Sequence, residues 1–120
     1  ALTRSRALTD TPLVAAVLDR LLADEGPHAE LGWRILAWAG PRLTAAERAR
    51  LGELAVAAIA SFAPLWQAPA CAACQAPGLG VTPPADHGAL LRRAVRERVL
   101  ARLARAAIPV DAAAVEALLA

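Results

Sequence analysis

At 120 residues the chain has the length of one domain, long enough for a modest core and short of the size at which folds become robustly stable. It is 58% hydrophobic but only 3% aromatic; the surplus is alanine, which favours closely packed helices. Lys and Arg total 13 against 11 acids, a net charge of +2 that argues against a dedicated polyanion binder, a local patch aside, and makes nucleic acid an unexpected partner.

The opening stretch "ALTRSRALTD" lacks the apolar core of a signal peptide, and no apolar run approaches the roughly 18 residues that span a bilayer, so no membrane partner is expected. The chain begins at Ala1, which leaves room for a processed product or a piece of a longer protein. The first predicted helix starts at Thr11, a good N-cap, with Pro12 at the first helical position, where its missing N–H is harmless. Val14, Leu18, Leu21, Glu25, His28, Gly32 and Ile35 then alternate in steps of four and three, the spacing of a bundle seam, before Gly40 and Pro41 end the helix.

Thr44 and Glu47 predict a capping box for a second helix, whose buried face is Leu51, Leu54, Ala55, Ala58, Ile59 and Phe62. Residues 63–86 hold Pro64, Pro69, Pro77, Pro83 and Pro84 with Gly78 and Gly80, which predicts a long connection that covers or crosses an end of the bundle. A third helix follows Asp86 as N-cap, with Leu91, Val95, Val99 and Leu103 on one side and Arg92, Arg93 and Arg96 on the other, until Pro109 stops it. Asp111 caps a short last helix presenting Val115, Leu118 and Leu119. The expectation is an all-α single domain over residues 1–120: a helical bundle of three main helices plus a short C-terminal one.

Glu25 and His28 stand where that first seam should be greasy. Burying an ionised carboxylate without a partner costs several kcal/mol, so the two are either a hydrogen-bonded couple or joint ligands of a metal ion. The i, i+3 spacing favours metal, because Glu-x-x-His on each of two helices is the ligand pattern of carboxylate bundles that hold two metal ions. Between them lie Gly26 and Pro27, which together cost on the order of 4 kcal/mol inside a helix. They either kink the helix at the ligands or end one helix and begin another.

The segment "DTPLVAAVLDRLLADEGPHAELGWRILAWAG" sets Asp24, Glu25, His28, Ala29, Leu31 and Trp33 in the order Asp-Glu-x-x-His-Ala-x-Leu-x-Trp. It resembles the last metal-binding helix of bacterial ferritin-like domain proteins, over residues 10–40. The resemblance implies a ferritin-like bundle with a non-haem di-iron or di-manganese centre, oxidase-type or iron-handling chemistry, Glu25 and His28 as metal ligands, and Glu30 on the outer face. No other Glu-x-x-His occurs in the chain. On the ferritin-like reading this chain represents the C-terminal part of such a domain, and either its other ligands come from upstream helices or another subunit, a homo-oligomer being one such arrangement, or the site has decayed.

Cys71 and Cys74 form a C-x-x-C that could pin the long connection, take part in redox chemistry or hold half a zinc site with His87 as a third ligand. Two cysteines suit a reduced cytoplasm or a single envelope disulfide equally. The six arginines of "RRAVRERVLARLAR" read as a solvated helix face written in a lysine-free codon bias, and no aromatic residue interleaves them for base stacking. Trp33, Trp38 and Trp66 read as core or interface residues, with Trp33 close enough to His28 to stand beside a site. The competing functional reading is a small helical protein–protein interaction module without catalytic activity, in which Glu25 ends one helix and Pro27 starts the next.

Overall fold

A computed structural model describes residues 2–67, 76, 78–81 and 83–120. In chain order it forms α1 (Leu2–Leu8), α2 (Pro12–Ala39), a 3₁₀ turn (Gly40–Arg42), α3 (Ala45–Phe62), α4 (Pro64–Gln67), α5 (Pro84–Ala94), a π-helical turn (Val95–Leu100), α6 (Ala101–Arg105) and α7 (Ala112–Leu118). No strand occurs among the described residues, where Thr9 makes only isolated backbone bridges to Gly78 and Leu79. The all-α class expected from alanine content and helical periodicity is the class observed.

The α1 helix has no counterpart in the sequence reading, and a helix of 7 residues is too short to persist alone. Tertiary contacts hold it. Arg6 Nε donates to Asp19 Oδ1 of α2 at 2.7 Å, and the Thr9 and Thr11 hydroxyls both donate to the carbonyl of Gly78. Gly80 lies against α1 with φ +74°, and a Cβ there would stand 2.5 Å from the Ser5 carbonyl oxygen, so glycine is required on both counts. This end of the long connection therefore braces the α1–α2 corner, whereas Cys71 and Cys74 lie outside the described residues.

The α2 helix runs unbroken for 28 residues through Gly26 and Pro27, so Glu25 and His28 share one element rather than two. Pro27 has no N–H to offer the Ala23 carbonyl, and both residues are exposed, which leaves water to satisfy that group. At the start of α3 the capping box is present: Glu47 N–H donates to Thr44 Oγ1 at 3.2 Å and Thr44 N–H donates to Glu47 Oε2 at 2.7 Å. The third predicted helix begins at Pro84, so Asp86 occupies the first turn rather than the N-cap, a position equally suited to a carboxylate.

At its far end α6 stops in a Schellman turn: Ile108 N–H donates to the Leu103 carbonyl and Ala107 N–H to that of Ala104, both at 3.0 Å. Ala107 takes the left-handed conformation there, φ 55°. Leu103 and Ile108, the apolar pair that accompanies such a turn, are both buried. Asp111 then caps α7 by accepting from Ala114 N–H at 3.0 Å.

The core gathers where α3, α4 and α7 meet: Ile59, Ala63, Trp66, Val115 and Leu119, with Leu91, Val95 and Val99 against them from the α5–π segment. Trp66 Nε1 donates to the Leu118 carbonyl at 2.9 Å, so the indole's polar edge is satisfied as its ring is buried. The segment Ala45–Gln67 is long and apolar enough to cross a membrane by length and composition. Here, however, Glu47, Arg48, Arg50 and Glu53 charge its first half while Ile59, Ala63 and Trp66 are core.

The molecule is an open slab of 50 × 30 × 17 Å, about two helix layers thick by the usual interaxial spacing. Its radius of gyration is 16.8 Å, against roughly 13–14 Å for a compact chain of this length. The accessible surface is 7971 Å², where a compact monomer of this mass exposes about 6,100 Å². No residue of α2 is fully buried.

Candidate functional site

Successive side chains turn by about 100° along a helix, which divides α2 into two apolar sides. Val14, Leu18, Leu22, Trp33 and Leu36 are half-buried and face the rest of the molecule. On the opposite side Leu13, Val17, Leu21, Leu31, Ile35 and Trp38 are exposed, with 75% of Leu13 and 67% of Trp38 in solvent. The single seam expected from the sequence is thus split between two faces.

His28 lies within the outer stripe, and Glu25 flanks it, with His28 Nδ1 3.8 Å from Glu25 Oε2. Their side chains are 73% and 58% exposed, so neither is desolvated as the seam reading expected. Asp24, also on the stripe, is held by Arg20 Nε at 3.0 Å. One imidazole and one carboxylate pointing the same way can give two donors to a cation, which needs four or more. Among the described residues no group of three or more His, Cys, Asp and Glu side chains gathers, so further ligands would have to come from whatever covers the stripe.

Glu30 is not an outer-face residue. Its Oε1 accepts from Arg102 Nη1 of α6 at 2.7 Å, and the same guanidinium stacks 5.3 Å from the centroid of the Trp33 ring. This contact fastens the C-terminal half of α2 to α6, because burial strengthens the pair and the indole face favours a cation. Beside it a cleft of about 520 Å³ is lined by Trp33, Leu36, Pro41, Arg48 and Arg105 among others. Arg48 donates to the carbonyls of Gly40 and of Ala106, at 2.7 Å for the latter, and so ties the ends of α2 and α6 to α3. Trp38 is an exposed residue rather than core, and its ring carries the Arg42 guanidinium at 4.9 Å.

The arginines of the third helix are less free than a solvated face. Arg96 grips the Glu116 carboxylate with Nε at 3.0 Å and Nη2 at 2.7 Å, and Arg92 Nη1 donates to the Trp66 carbonyl at 3.3 Å. The Arg96 contact draws the Glu116 carboxyl below its usual range, and the Thr44 N–H does the same to Glu47. On the other side of α6 a groove of about 440 Å³ runs between Trp33 and the aromatic pair Phe62 and Trp66, floored by Leu91, Val95 and Leu103.

Sequence reasoning missed the Arg48 clamp and the outer stripe of α2. The stripe was legible in principle, since Leu13, Val17, Leu21, Leu31, Ile35 and Trp38 recur at helical spacing, but the first periodic pattern read along the helix masked the second. Comparison with protein-family models, with curated proteins and with solved structures gives no match.

Proposed function

We propose that this chain is a ferritin-like helical-bundle protein in which further helices, from another segment or another subunit, cover the outer stripe of α2. On this reading Glu25 and His28 supply part of the ligand set of a non-haem iron or manganese centre. The observation that carries it is the position of His28, an imidazole 3.8 Å from a carboxylate in the middle of an apolar stripe too exposed to be a finished surface. Once covered, the pair would lose its water, and a cation is what satisfies both groups together. Bound there, iron or manganese would supply one-electron and dioxygen chemistry or a step of iron handling. This chain's own part would be to hold the ion through Glu25 and one ring nitrogen of His28, on a helix fastened by the Glu30–Arg102 pair.

The second reading, a helical protein–protein interaction module without catalytic activity, is favoured by the exposed apolar stripe itself, Leu13, Val17, Leu21, Leu31, Ile35 and Trp38, which suits a partner helix. The two separate on metal content. Iron, manganese and zinc per chain are measured by mass spectrometry on the natively expressed protein and on His28→Ala, each also after anaerobic iron loading. Stoichiometric iron or manganese that is lost in the variant supports the bundle centre. No metal in either protein refutes it and leaves the interaction module.

A further inference from the structure

The outer stripe of α2 reads nearly the same in both directions. About a centre at residue 26, Asp24 mirrors His28, Leu21 mirrors Leu31, Val17 mirrors Ile35, and Leu13 falls one residue from the mirror of Trp38. All of these side chains are on the exposed side of one unbroken helix. A helix with this pattern is complementary to itself when a second copy runs antiparallel across it on a twofold axis. Like residues then do not meet at the polar centre, because Asp24 of each copy falls opposite His28 of the other. His28 Nδ1 lies 3.8 Å from Glu25 Oε2, beyond hydrogen-bond reach, so the ring proton can sit on Nε2 and be donated across the axis, and the Arg20–Asp24 contact leaves the second Asp24 oxygen to accept.

We infer that the occupant of this face is a second copy of the same chain, paired antiparallel through α2 with two Asp24–His28 contacts at its centre. The inference rests on the reading that the stripe is covered, and not on the metal. A helix of 28 residues is about 42 Å long, and a strip about 10 Å wide buries roughly 850 Å² over both copies. That is below the roughly 1,200 Å² of a stable interface, so the dimer is a weak and reversible one. Among the described residues no other helix crosses this side of α2: Arg6, Arg102 and Gly80 all approach from the inward half, at Asp19, Glu30 and Leu18.

Sedimentation velocity of the whole chain in EDTA, from 1 μM to several hundred μM, tests the pairing. The wild type is expected to pass from monomer to dimer. Ile35→Glu, which places a carboxylate opposite Val17 of the other copy, should raise the dissociation constant by roughly 100-fold or more. Adding Val17→Lys to the same chain should restore the dimer, because each new charge then faces its opposite in the antiparallel register. Within one chain those two positions are about 27 Å apart and cannot compensate each other. Leu21→Glu with Leu31→Lys is the independent repeat should the first pair fail to fold, as judged by helical circular dichroism. A wild type that stays monomeric throughout overturns the inference, as does a dimer indifferent to Ile35→Glu or one not restored by the double substitution. A monomer that nonetheless binds metal in a His28-dependent way would overturn only this pairing and leave the proposed function standing.

Discussion

Replacing Gly52 with alanine puts one methyl group where the backbone approaches more closely than at any other described glycine. Gly52 is buried in α3, and a Cβ built there would lie 1.7 Å from the Pro109 carbonyl oxygen and 2.9 Å from its carbon. An unstrained carbon–oxygen contact needs about 3.3 Å, so helix and segment must part by roughly 1.5 Å. The segment that would move carries Ile108, 3% exposed, and leads into α7, whose Val115 is fully buried. Overpacking of this kind costs about 1–3 kcal/mol, and at a backbone-to-backbone contact the upper end applies. Alanine returns about 1 kcal/mol of helix propensity, so the net expectation is a loss of about 2 kcal/mol. Urea unfolding followed by circular dichroism and by tryptophan fluorescence reads the change as a lower midpoint at unchanged slope. Gly32→Ala, with nothing within 4 Å of its Cβ, is the control measured beside it on dilute protein, and should gain up to about 1 kcal/mol. If Gly52→Ala behaves like Gly32→Ala, α3 and Pro109 do not touch as described and the reasoning fails.

Ala107→Gly should do the opposite, raising stability by about 0.5–1 kcal/mol, because the residue at φ 55° is the left-handed position of a Schellman turn, where a Cβ is penalised. Equal or lower stability by the same urea titration would mean that α6 does not end in that turn. The carboxyls of Glu47 and Glu116 are held below their usual range by the Thr44 N–H and the Arg96 guanidinium. A depressed folded value stabilises above the unfolded one, near 4.3, and that contribution is lost as pH falls through the folded value. Stability measured from pH 6 to pH 2 should therefore drop along an acid limb that Glu116→Gln and Glu47→Gln each make shallower; a limb unchanged in both variants would refute this origin.

Signals confined to a few neighbouring residues survive in the fold. Thr44 and Glu47 make the capping box, Asp111 caps α7, and Pro109 follows the end of α6, because each works through bonds within one turn. Thr11 shows the limit of such signals. It sits at the N-cap with extended geometry, yet its hydroxyl donates to the Gly78 carbonyl instead of capping, a partner 67 residues away that no local pattern reveals. The α1 helix exists for the same reason, as does the Gly52–Pro109 contact, where a glycine that reads as a weak spot in a helix is the only residue that fits. At the candidate site the Glu25–His28 spacing was readable, whereas Gly26 and Pro27 left open whether the two share a helix, and their exposure depended on which of two apolar sides of α2 faces inward. Alternating steps of three and four fit both sides, and only the tertiary contacts at Asp19, Glu30 and Trp33 decide between them.

The α2 helix resembles a beam supported near each end and free along its outer edge. One support is the Arg6–Asp19 pair with Gly80 against Leu18, and the other is the Arg102 guanidinium held by Glu30 and Trp33. Between the supports stand Gly26 and Pro27, where one backbone hydrogen bond of the helix is missing. Flexure concentrated at that point would alter the curvature of the outer edge, and the spacing of Asp24, Glu25 and His28 along it, while both supports stayed in place. The chain thereby carries a face whose fit can adjust at its polar centre without unfastening the body behind it.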